Sequence, residues 1–135
     1  MDMLQLKLCD IQGRLFELSG DAGYQSDEFI RSFMTSDIAK GLDSSYNRYQ
    51  WAGEEYLLEE LDATCQLKKN GAVFPNDVLY WTGYIYRFWH YYKGTESSKI
   101  IKTAAPNTMN KNYTMFHSMA PELAVDDLIE MKEQG

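Results

Sequence analysis

The sequence predicts an all-α fold, a single-domain helical bundle over residues 1–135 with about six or seven helices around a central aromatic-rich helix. Three observations predict it. Apolar residues recur at spacings of three and four along most of the chain, which puts them on one face of a helix. Polar cap residues and glycines mark where these stretches begin and end. Period-two alternation is weak almost everywhere. The length fits such a core: 135 residues, 44% of them hydrophobic, bury roughly two-thirds of their unfolded surface.

The first stretch carries Leu4, Leu8, Ile11, Leu15 and Leu18 at spacings of 4, 3, 4 and 3, followed by Gly20 as a stop. Leu4, Leu6 and Leu8 would also suit a short strand, the alternative here. Ser26 is the expected cap of the next helix, with Asp27 and Glu28 in its first turn and Phe29, Ile30, Phe33 and Met34 on its apolar face. A cap signal at Thr35, Ser36 and Asp37 begins a helix through Ile38 that ends near Gly41. Asp43, Ser44 and Ser45 are cap candidates for a helix running through Trp51, Tyr56, Leu57, Leu58 and Leu61 towards Cys65. Gly53 weakens its continuity. Lys68, Lys69, Asn70 and Gly71 suggest its last turn and C-cap.

Pro75, Asn76 and Asp77 open the next element and Gly94 closes it. Of the chain's 19 aromatics, eight fall between residues 80 and 92. Aromatics favour strands, so an extended segment is the alternative. The helix punctuation on both flanks and the length between them favour a helix. Trp81, Ile85, Phe88 and Tyr92 would line one face, Tyr80, Tyr84 and Tyr91 a second, Tyr86 and Trp89 a third. A helix apolar nearly all round is a central one. After it, Ser97 or Ser98 caps a short helix with Ile100, Ile101 and Ala104. Residues 105–107 break the chain, and a helix follows from about Thr108 with Met109, Tyr113, Phe116 and Met119 inward. Pro121 suits the first turn of a last helix with Ala124, Leu128 and Met131 inside. Residues 72–74 are a candidate short strand.

Motifs for chemistry are sparse. The chain has no GxGxxG, no GxxxxGK[ST] and no GxSxG. It has no CxxC, HxxxH or HExxH, and the residues three before His90 and His117 are Arg87 and Thr114, so the Glu-x-x-His di-iron signature fails. Cys9 and Cys65 read as small core residues, and His90 as a histidine bonded to a neighbour within an aromatic helix. His117 reads the same way. The expectation is no catalysis, no metal and no cofactor. Two distant cysteines, no visible signal peptide and no apolar run near the length of a membrane span point to a cytoplasmic protein without membrane attachment.

Charge is more informative. The chain is acidic, net −7, which argues against a general nucleic-acid coat or an anionic membrane surface. Glu54, Glu55, Glu59, Glu60 and Asp62 form an acid cluster, the candidate partner-binding surface. Within residues 81–119, Arg87, Lys93, Lys99, Lys102 and Lys111 face only Glu96, a basic island in an acidic chain. It coincides with two short helices across a tight turn, similar to a helix-turn-helix unit. There Thr108, Asn110, Lys111 and Thr114 would face a groove while Lys99 and Lys102 hold phosphates.

Several stretches carry a family resemblance: residues 80–84 (Tyr-Trp-Thr-Gly-Tyr), 87–92 (Arg-Phe-Trp-His-Tyr-Tyr), Glu96 to Ser98, Asn112-Tyr113 and Met115 to His117. The segments Asp10 to Gly13 and Gln50 to Tyr56 fit as well. Together they resemble a family of short uncharacterised bacterial helical proteins, associated with toxin–antitoxin-like operons. The resemblance implies an antitoxin or accessory role and carries no catalytic residues. The expected function is therefore non-enzymatic binding of another protein, a toxin encoded nearby being the implied partner. DNA binding through residues 97–119 is the alternative.

Overall fold

A computed structural model describes all 135 residues. Eight α-helices and one 3-10 turn follow in order: α1 (Met3–Asp21), α2 (Ser26–Met34), α3 (Asp37–Asp43), the 3-10 turn Arg48–Trp51, α4 (Glu54–Cys65), α5 (Asn76–Lys93), α6 (Ser97–Thr103), α7 (Pro106–Phe116) and α8 (Pro121–Gln134). The fold is all-α, and both stretches with strand alternatives, in α1 and α5, are helical.

Local chemistry fixes the ends. Asp2 and Gln5 form a reciprocal capping box at the start of α1. Ser36 caps α3 by accepting from the Ala39 N–H at 3.2 Å. The expected cap Ser26 is instead the first residue of α2, and its hydroxyl accepts from the Phe74 N–H at 2.8 Å. The same region replaces the expected short strand. Residues 66–75 run without regular structure against the start of α2, whose Gln25 and Ser26 N–H groups donate to the carbonyls of Lys68 and Ala72. These bonds satisfy donors that a helix start leaves orphaned.

The stretch expected as one helix from Asp43 to Cys65 is broken. Asn47 caps the 3-10 turn by accepting from the Tyr49 N–H at 2.9 Å. Gly53, at φ +82, then turns the chain into α4. Trp51 thus falls outside the helix and off its apolar face. Leu57 and Leu61 are the buried residues of α4. The helix stops at Cys65, earlier than the lysines suggested, because Gln66 adopts a left-handed conformation and Asp62 accepts from the Leu67 N–H at 3.0 Å. Cys65 is exposed rather than in the core.

Helix α5 is the central element. It packs most extensively on α1 and also contacts α6, α7 and α8. The α1–α5 approach is close enough that a Cβ at Gly83 would lie 2.5 Å from the Gln12 carbonyl oxygen. Ten residues of α5 are buried, including Trp81, Tyr86, Phe88 and Trp89. Tyr92, placed on the inner face by spacing, is at the surface because it lies in the last turn before Gly94. The core of 28 buried residues draws on every α-helix. Phe16 is its aromatic hub, edge-on to Phe29, Phe33 and Tyr86. Pro106 begins α7 two residues before Thr108. Met131, expected inside, is exposed near the end of α8. No helix is long and apolar enough to cross a membrane.

Candidate functional site

A charged group in the buried stretch of a helix needs a partner, and Arg87 of α5 has three. Its side chain is fully buried. Nε donates to Gln12 Oε1 at 2.8 Å, Nη1 to Asp43 Oδ1 at 2.6 Å and Nη2 to Ser97 Oγ at 3.1 Å. Ser97 returns to Asp43 twice, through its N–H at 2.8 Å and its hydroxyl at 2.7 Å. Gln12 donates to the Gly83 carbonyl at 2.9 Å. This network ties α1, α3, α5 and α6 together with its side chains paired, which is what a buried ion pair requires.

His90 stands beside it. Its Nδ1 lies 2.7 Å from the Thr95 carbonyl oxygen and its Nε2 lies 2.9 Å from that of Asp43. Both ring nitrogens face carbonyl acceptors, and a neutral imidazole, with a single N–H, donates to one of them; the ring sits between the end of α3 and the turn after α5. His117 is exposed, stacked on Tyr113 with centroids 4.4 Å apart. Cys9 is buried at the α1 face, where burial pushes its thiol up to about 12. No group of three or more His, Cys, Asp and Glu side chains is gathered as a metal site.

The acid cluster of α4 lies on the outside. Glu55 and Glu59 are exposed, Glu54 and Glu60 half-buried, and Asp62 is engaged with the Leu67 N–H. Aromatic residues flank it. Trp51 is 65% exposed and Tyr56 43%. Trp51 shares a surface depression with Leu4, Lys7, Arg14 and Glu54, and Tyr56 one with Arg48 and Tyr49. Of the cations here, Arg14 pairs with Asp10 at 2.8 Å, Arg48 lies over the Tyr49 ring, and exposed Lys7 has no ion-pair partner.

The basic island is smaller in space than in sequence. Arg87 is buried on Asp43 and Lys93 pairs with Asp126 at 3.3 Å. Lys99, Lys102 and Lys111 remain exposed, with Thr114 beside them and Thr108 and Asn110 half-buried. Helices α6 and α7 each pack on α2 and α5 and make little contact with one another. The first helix of a helix-turn-helix unit is supported by its second, and that support is slight here.

The spacing of the acids locates their surface, whereas Trp51 leaves the helix face only through the turn at Gly53. Asp43 has the residue type and position of a cap, which conceals its long-range role. The available signal was Arg87 itself, a cation within an aromatic helix, which demands an acid from elsewhere in the chain. The chain matches no protein-family model, no curated protein and no solved structure.

Proposed function

We propose that this chain is a non-catalytic protein-binding protein whose docking face is the aromatic and acidic surface around Trp51, Tyr56, Glu54, Glu55 and Glu59. The partner is a protein with a basic face. In its most specific form the chain is an antitoxin-like neutraliser, and the partner is the product of a gene beside its own. The observation that carries the reading is Trp51, a tryptophan 65% exposed at the edge of an acid cluster. Large exposed aromatics are the side chains that dominate protein interfaces. Carboxylates around them speed encounter with a basic partner and exclude acidic ones.

The DNA-binding alternative has less support. Only three of the island's exposed lysines lack an ion-pair partner, on a chain of net −7. So few phosphate contacts give weak binding, and the acidic remainder opposes it.

The test is to co-express the chain with the product of each adjacent gene, purify any complex, and titrate it with the variants Trp51→Ala and Glu55→Lys. Trp51→Ala should weaken binding by tenfold or more, the scale of an interface hot spot. Glu55→Lys should slow association, most visibly at low salt. Failure of every neighbouring product to bind, or unchanged affinity in Trp51→Ala, contradicts the proposal.

A further inference from the structure

A groove of about 560 Å³ lies along α5, between α1, α7 and the start of α8. This is the size of a small-molecule site. Its walls are aromatic. Tyr80 and Tyr84 lie with centroids 6.1 Å apart, and Trp81 meets Tyr113 edge-on at 5.7 Å. Glu17 from α1 and Asp77 from the first turn of α5 bring carboxylates to it, no lysine or arginine lines it, and His117 at its edge covers one face of Tyr113. Asp77 is oriented there by the Tyr113 hydroxyl, which donates to it at 3.3 Å. Pro121 places the α8 N-terminus at the rim, and Glu122 in its first turn offsets the dipole.

We propose that this groove binds a small organic cation of the quaternary-ammonium type. Aromatic faces carry negative potential and attract such a group, which has no N–H to satisfy and sheds its water easily. The two carboxylates supply long-range attraction without requiring a hydrogen bond. A neutral ligand of the same shape would gain only the apolar contact. An anion would meet Glu17 and Asp77. Burial raises the Tyr84 phenol above its ordinary value, and negative charge at Asp10 and Glu122 adds to this. The phenols therefore stay neutral, and the attraction comes from the ring faces and the two carboxylates. The groove adjoins the Trp51 depression through the Tyr80–Asp10 bond, but the two share no lining residue, so each assignment is tested by its own variants.

The test titrates the isotope-labelled chain with choline and with 3,3-dimethylbutan-1-ol, its neutral isostere, and follows the amide signals by NMR. A cation over one ring is favoured roughly two- to thirtyfold over a neutral group. Choline should therefore shift signals at residues 80–85 and 113–121 and bind at least tenfold more tightly than the alcohol. Asp77→Asn at the surface and Glu17→Gln, an isosteric change at a half-buried position, should each weaken choline about threefold, and Tyr113→Leu should weaken it further. Equal binding of the alcohol, shifts elsewhere, or no saturation at tens of millimolar choline overturns the proposal. The same headgroup occurs on lipids, whose phosphate the carboxylates would repel. The chain should stay in solution when phosphatidylcholine vesicles are pelleted, and co-sedimentation overturns the small-molecule assignment.

Discussion

Arg87 and Asp43, 44 residues apart in the chain, meet through a 2.6 Å bond with the arginine fully buried. The pair joins the central helix to the end of α3, and Ser97 and Gln12 complete it. Removing one member of a buried pair leaves the other unpaired, at a cost of about 3–5 kcal/mol. Asp43→Ala is therefore expected to destabilise the fold by that amount, and Arg87→Met by less, because Asp43 keeps both bonds from Ser97. The double variant should cost clearly less than the two single effects added. Chemical denaturation of the four proteins checks this, and strict additivity would mean that the pair is not coupled.

Gly83→Ala tests the α1–α5 contact. Alanine would restore about 1 kcal/mol of helix propensity. Its Cβ, however, would sit 2.5 Å from the Gln12 carbonyl oxygen, a backbone atom that cannot swing aside. Overpacking of this kind costs about 1–3 kcal/mol, and the rigid neighbour places it at the upper end. The net expectation is a loss of about 1–2 kcal/mol by denaturant unfolding.

The two cysteines should react in sequence. Cys65 is exposed, whereas Cys9 is buried with its thiol pushed up to about 12. A thiol reagent at neutral pH is expected to label one site in the native chain, identified as Cys65 by peptide mapping. Both should label in denaturant. Rapid native labelling of Cys9 would contradict its place in the core.

Acid stability has a specific source at Asp10. Burial pushes its carboxyl up, but hydrogen bonds from Tyr80 at 2.5 Å and from Arg14 more than offset this and hold it below the ordinary value. A depressed carboxylate contributes stability that is present above its unfolded pKa of about 4 and is lost as pH falls through the folded value. Tyr80→Phe removes one of the bonds. Unfolding measured from pH 6 to pH 2 should show a shallower acid decline in the variant than in the parent, and parallel curves would exclude the contribution.

The helical plan could be read from the chain because it rests on local signals. The spacing of Leu8 and Leu15, the glycine after α5 and the prolines opening α5 and α8 all act within a few residues. The break before α4 was less legible, since Gly53 is tolerated within a helix or can end one, and tertiary packing decides. The buried centre could not be read at all. Arg87, Asp43 and Gln12 are brought together by packing over long separations, and no spacing rule reports that. The exposure of Trp51 follows from the same break, so the docking face was legible in its acids and not in its aromatics.

Hydrogen exchange on the complex with the neighbouring gene product tests the docking face most directly. The backbone of residues 46–60 should slow its exchange on binding, while residues 97–119 keep the rates of the free chain. Protection confined to residues 97–119, with residues 46–60 unchanged, would contradict the assignment and move the interface to the lysine-bearing helices.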